Sequence, residues 1–91
     1  MVTLEEMKQF LRVDYPDDDS LIGVLISSAE ELCASVARIS VEEYLTLPED
    51  NAKTAILYAV AYLYEHREEA DHHQLTIDLR SLLFGIRKEG F

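Results

Sequence analysis

A chain of 91 residues and 10.4 kDa has the length of one domain, which we expect to cover residues 1–91. Hydrophobic residues make up 48% of it, with 3 glycines and 2 prolines, a composition that excludes a disordered linker. Eight Lys and Arg against 18 Asp and Glu give a formal net charge of −10, which argues against nucleic-acid binding, sequence-specific binding included, because contact with phosphates requires a basic surface.

The small size of the chain favours association with other molecules. A domain of this length buries only roughly 60–65% of its unfolded surface, and a lone cysteine, Cys33, excludes a disulfide within the chain.

Residues 1–6 lack the basic and apolar segments of a signal peptide, and the most apolar run, residues 55–64, is ten residues long. A bilayer crossing takes about 20 residues, so we expect synthesis in the cytoplasm and no membrane partner.

A short amphipathic helix is predicted at the start of the chain. Thr3 and Glu6 have the spacing of a capping box, in which each side chain accepts a hydrogen bond from the other's backbone N–H. Apolar residues follow at helical spacing as far as Leu11, and Pro16 disfavours helix in the residue before it. This helix should end near Arg12.

The second predicted helix is the longest. The aspartates at 17–19 are the acids preferred at a helix start, and we interpret them as its cap. Apolar residues then recur from Leu21 to Ala37, which predicts one wide apolar stripe on a helix of about 20 residues ending near Arg38. Cys33 lies on this stripe, which favours a buried, inert thiol over a catalytic one.

Three more helical segments are predicted in the rest of the chain. Ser40 and Glu43 form a second capping-box pattern, which predicts one or two turns through residues 44–45. The residues LPED at 47–50 start the next helix, which should run to about Glu68.

A loop rich in charge and histidine is predicted over residues 69–74. Apolar residues at helical spacing over 75–86 predict a last amphipathic helix, which Gly85 ends or kinks. No segment alternates with period two for long enough to predict a strand. The sequence therefore predicts an all-α protein, a small bundle of four to five helices.

Two clusters have residue types that bind metal ions. The aspartates at 17–19 suit hard cations but lack the spacing of a calcium loop. His66, His72 and His73 lie among acidic residues, and Glu69 and His72 match the Glu-x-x-His spacing of di-metal bundles. Those bundles need two such motifs and two further glutamates, so a solvated loop is favoured and no metal or cofactor is predicted.

No motif in the sequence supports an enzyme. It contains no Gly-rich phosphate loop, no Gly-x-Ser-x-Gly and no paired-cysteine metal motif. We therefore predict no catalytic residues.

The helix that starts near Pro48 is apolar on two faces. With Ile56 at 0° and 100° per residue, Ala61 lies at about 140°, Tyr58 at about 200° and Tyr62 at about 240°. Two interpretations stay open: the amino-terminal helix covers this second face, or another copy of the chain does, since tyrosine is enriched at interfaces. Tyr58, Ala61 and Tyr62 are accordingly the candidate oligomer interface.

Charge is unevenly distributed along the chain. Residues 1–50 carry 12 acids and 3 bases, whereas residues 51–91 carry 6 acids and 5 bases. The acidic half is either an ordinary solvated surface or a surface that repels a polyanion passing close to it.

Several segments, taken in order, have a counterpart in a known family. They are VTLEEMKQFLRVD (2–14), DDD (17–19), the helix over 21–36, LPEDNAKTAIL (47–57), YLYEHRE (62–68), and LL (82–83) followed by Arg87. Their order and spacing resemble those of the head–tail connector proteins of tailed bacteriophages, over nearly the whole chain.

This resemblance implies a structural protein that carries out no chemistry. It implies a small helical adaptor that forms a ring of identical copies below the portal protein, completes the head and offers a docking surface for a tail or head-closure protein. DNA would pass through the ring. The protein would be in the host cytoplasm during assembly and in the virion neck afterwards.

Two alternatives to a connector remain. The chain could be a small acidic adaptor or inhibitor that binds one host protein, for example by mimicking the charge of DNA. It could also be a metal-dependent enzyme built on the histidine cluster.

Overall fold

Five helices form in a computed structural model, which describes residues 1–66 and 71–85. They are α1 (Leu4–Leu11), α2 (Asp19–Ala37), α3 (Val41–Tyr44), α4 (Asp50–Glu65) and α5 (His72–Leu82). The described residues contain no strand, so the prediction of an all-α bundle is confirmed.

The predicted capping box of α1 is present. The Thr3 hydroxyl accepts a hydrogen bond from the Glu6 N–H at 3.1 Å, and the Glu6 carboxylate accepts one from the Thr3 N–H at 3.2 Å. The helix ends at Leu11, where Arg12 takes the left-handed conformation with φ 60°. Two orphan N–H groups are satisfied in this way, and both predicted ends of the helix are confirmed.

The interpretation of the aspartates at 17–19 as side-chain caps is wrong for Asp18. It occupies the N-cap position of α2, but its φ and ψ of −103° and 11° are not extended and its side chain caps no N–H. The carboxylate instead accepts a hydrogen bond from the Tyr64 hydroxyl at 2.5 Å, and Asp19 forms an ion pair with Lys8 at 2.7 Å. These aspartates therefore connect the start of α2 to α4 and α1.

Helix α2 is at the centre of the bundle and contacts each of the other four helices, most extensively α4. Its buried residues are Ile22, Ile26, Ala29, Cys33, Ala34, Val36 and Ala37. With 19 residues and a mean hydropathy of 1.5, α2 is also long and apolar enough to be a candidate membrane span. The prediction of no membrane partner rested on the ten-residue apolar run at 55–64, which belongs to another helix and did not indicate this candidate. The core helix of a folded bundle has the same properties, and here the buried residues of α2 are part of the common core.

Helix α3 contributes one large side chain to the core. Tyr44 is fully buried, and its hydroxyl donates a hydrogen bond to the Ala52 carbonyl at the start of α4 at 2.6 Å. Cys33 is also fully buried, and this burial raises the pKa of its thiol to about 12. The prediction of a buried thiol is confirmed, and at neutral pH it is protonated and a poor nucleophile.

The carboxyl-terminal part of the chain differs from the prediction. Helix α4 ends at Glu65, and the predicted end at Glu68 lies outside the described residues, as do residues 69–70 of the predicted loop. Residues 72–74 were expected in that loop but begin α5, because the Asp71 carboxylate caps the helix by accepting from the Gln74 N–H at 3.0 Å.

The predicted role of Gly85 in ending the last helix is also wrong. Helix α5 ends at Leu82, and Gly85 lies beyond it in the turn formed by residues 83–85. Ile86, which the prediction included in this helix, lies outside the described residues.

Replacing Tyr44 with phenylalanine tests the link between α3 and α4. Tyr44→Phe leaves a buried carbonyl without this donor, so we expect the free energy of unfolding to fall by about 1–2 kcal/mol. Chemical denaturation measures it, with Tyr15→Phe as the control, which removes a hydroxyl bonded to Tyr64 at a half-exposed position instead of a buried one. A loss below about 0.5 kcal/mol, the range of ordinary surface substitutions, would contradict the role of this hydrogen bond.

The link between Tyr64 and Asp18 gives a prediction at high pH. The hydrogen bond to Asp18 raises the pKa of Tyr64 from 10.0 to about 12, so its contribution to stability is present below pH 10 and is lost as the pH rises through 12. We expect Asp18→Asn to lower the pKa of Tyr64 toward 10.0, as measured by NMR titration of the tyrosine rings. Asp17→Asn removes the same charge without this hydrogen bond, and an equal shift in both variants would contradict the assignment.

Candidate subunit-contact groove

The three residues of the candidate oligomer interface lie together in the structure. Tyr58, Ala61 and Tyr62 line a surface groove of about 340 Å³. The other lining residues are Phe10, Glu65 and His66. We call this set of six residues the contact groove.

The helical repeat of α4 builds one wall of the contact groove. Tyr58, Ala61, Tyr62 and Glu65 follow one another at intervals that place them on one face of a helix. Ala55, Ile56, Ala59 and Val60 of the same helix are fully buried in the core. The core therefore fixes α4 in the rotation that turns the contact groove outward.

Helix α1 supplies one residue of the contact groove. Phe10 lies near the end of α1 and is 53% exposed. Lys53 of α4 forms an ion pair with Glu6 of α1, and this hydrogen bond lowers the pKa of the Glu6 carboxyl. Helices α1 and α4 are in contact, which brings Phe10 into the same groove as Tyr58.

Helix α5 binds the two tyrosine hydroxyls. Tyr58 donates to the Asp78 carboxylate at 2.7 Å, and this hydrogen bond raises the pKa of Tyr58. The Tyr62 hydroxyl accepts from the Asp71 N–H at 3.1 Å. The sequence had suggested that either the amino-terminal helix or another copy covers this face, and neither interpretation included contacts between these tyrosines and α5. They fix both rings in place and leave Tyr58 37% exposed.

The contact groove combines aromatic and polar side chains. The rings of Tyr62 and His66 are stacked, with centroids 4.3 Å apart and an angle of 18° between their planes. The His66 Nδ1 lies 2.9 Å from the Tyr62 carbonyl oxygen, and Glu65 and His66 are both exposed. An apolar side chain with a cationic neighbour would therefore find both an aromatic surface and a carboxylate.

Sequence reasoning missed three residues of the contact groove. Glu65 and His66 lie four residues after Ala61 and Tyr62, so the helical spacing alone would have found them. Phe10 was assigned to the apolar stripe of α1, and only the docking of α1 against α4 brings it to the contact groove.

The two clusters weighed as metal sites do not assemble within residues 1–66 and 71–85. In these residues, no group of three or more His, Cys, Asp or Glu side chains is arranged to hold a metal ion. His66 lines the contact groove, whereas His72 and His73 are exposed in the first turn of α5. Glu69 of the Glu-x-x-His pattern lies outside the described residues.

Comparison with known proteins identifies the family. Neither the curated proteins nor the solved structures contain a match to the chain. A family model described as phage gp6-like head-tail connector protein matches residues 1–88 and so includes all five helices. This family is structural, and its proteins act in the phage neck together with other head and tail components. The resemblance seen in the sequence is thereby confirmed, and the chain belongs to the family of phage gp6-like head–tail connector proteins.

Proposed function

We propose that this connector associates with copies of itself into a ring below the portal protein of a phage or prophage particle. The ring completes the head and presents a docking surface to a tail or head-closure protein, and DNA passes through it. The subunits are made in the host cytoplasm and become part of the virion neck on assembly. Family membership supports the place in the neck, and the contact groove supports self-association.

The observation that carries the proposal is the exposed aromatic surface of the contact groove. Phe10 and Tyr58 are 53% and 37% exposed in a chain with a net charge of −10. Exposed aromatic clusters are typical of protein–protein contacts, because each ring buries a large area while a tyrosine hydroxyl can stay in water. The rings of Tyr58 and Tyr62 are also held by hydrogen bonds before binding, which lowers the entropy cost of association.

The acidic surface supports the passage of DNA. In the first half of the chain, eight acidic residues are exposed to solvent: Glu5, Asp14, Asp17, Glu31, Glu42, Glu43, Glu49 and Asp50. A ring that turns part of this surface toward its channel would repel DNA phosphates, so DNA would move through without adhering. The same repulsion acts between subunits and is weakened by salt.

The contact groove gives a direct test of self-association. Ala61→Glu adds a carboxylate beside Glu65 without removing either tyrosine hydroxyl from its partner on α5. We expect association to weaken at least about tenfold, because a desolvated charge beside a like charge is unfavourable. Sedimentation velocity measures the assembly, and circular dichroism verifies that the variant stays helical.

Ser27→Glu is the matched control, because it adds the same charge at an exposed position of α2 that does not line the contact groove. It should assemble like the unmodified chain. Unchanged assembly of Ala61→Glu would contradict the choice of this face, and equal loss in both variants would show a general effect of charge instead.

A further inference from the structure

Phe84 is the most exposed large apolar residue among the described residues. It lies in the turn after α5 with 81% of its surface accessible. Its neighbour Leu83 is fully buried in the core, which anchors the turn and directs Phe84 outward. An aromatic ring held outward on an anchored turn is the kind of side chain that inserts into a partner.

We propose that Phe84 of one copy inserts into the contact groove of the next copy. This inference rests on the proposed ring, and it names the second of the two surfaces that each subunit needs. A ring is built from head-to-tail contacts, in which two different patches of the same chain meet. The contact groove is one patch, and Phe84 is the centre of the other.

The packing of α4 against α5 places the two patches apart. Asp71, at the start of α5, bonds Tyr62, whereas Asp78, later in α5, bonds Tyr58, so the two helices run antiparallel. At 1.5 Å per residue, the last turn of α5 lies roughly 12 Å along the axes from the centre of the contact groove. Phe84 follows that last turn, is 81% exposed and does not line the contact groove of its own subunit, so its ring is available to a neighbour.

The contact groove suits a single aromatic ring. Its volume of about 340 Å³ is at the lower end of the range for small-ligand sites, which matches one side chain better than a helix. Phe10 and Tyr58 offer exposed aromatic surface to an incoming phenyl group. Aromatic pairs of this kind stabilise a contact beyond the area that they bury.

Charge favours the same pairing. Arg80 is exposed one helical turn before Phe84, and Glu65 is exposed in the contact groove. An arginine on the Phe84 side of one subunit that meets a carboxylate in the contact groove of the next would favour this pairing.

Photocrosslinking tests this contact directly. Phe84 is replaced by p-benzoylphenylalanine, which keeps an aromatic side chain, and a mixture of isotopically labelled and unlabelled full-length chains is irradiated. Mass spectrometry should find links between chains that join position 84 to Phe10 or to residues 58–66. The same amino acid in place of Val24, which is 62% exposed on α2, should give no links to these residues.

A pair of truncations measures the contribution of Phe84. We expect Phe84→Ala to weaken association at least about tenfold, as for an interface anchor, and Val24→Ala to leave it unchanged. Both side chains are exposed, so neither truncation removes a residue of the core.

The outcomes separate this inference from the proposed ring. If the unmodified chain assembles but position 84 crosslinks to other surfaces, or if Phe84→Ala assembles normally, the pairing of Phe84 with the contact groove is overturned and the ring stands. If the unmodified chain stays monomeric, both alone and with its portal protein, the proposed ring is overturned together with the pairing.

Discussion

The contact between α2 and α4 is the one on which the rest of the structure depends. Both helices bury small side chains: Ala29, Ala34 and Ala37 on α2, and Ala52, Ala55 and Ala59 on α4. Small residues let two helix backbones approach closely, and the larger core side chains then fill the space at the edges of the pair. Helices α1, α3 and α5 pack around this pair, with the Tyr44 hydroxyl joining α3 to α4. One face of α4 is thereby buried, so its opposite face is directed outward.

That constraint connects the fold to the proposed assembly. The outward face of α4 becomes the contact groove when α1 adds Phe10 and α5 fixes the rings of Tyr58 and Tyr62. The antiparallel packing of α5 then carries Phe84 toward the opposite end of α4. A subunit that has both this groove and an exposed ring can associate head to tail through them, and such contacts give a closed ring when the rotation between subunits closes.

Helical periodicity and cap residues predicted most of the fold, but these local patterns could not predict contacts between residues that are distant in the sequence. Thr3 and Glu6 are three residues apart, so their capping box could be inferred from local spacing. Asp18 looked like a cap by the same rule, but its partner is Tyr64, 46 residues away, and only the docked bundle brings them together. In the contact groove, the second apolar face of α4 could be predicted from the sequence, because the periodicity of a single helix determines which of its residues share a face. The contribution of Phe10 and the hydrogen bonds to α5 depend on how three helices pack.

The absolute mass of the protein in solution tests the central claim most directly. Light scattering over a concentration series, at low and at moderate salt and with and without the portal protein, would measure it. The account predicts one closed species with a fixed multiple of the 10.4 kDa subunit mass, formed more readily as salt screens the net charge of −10. A monomer under every condition, or a mass that grows without limit as concentration rises, would contradict a closed ring.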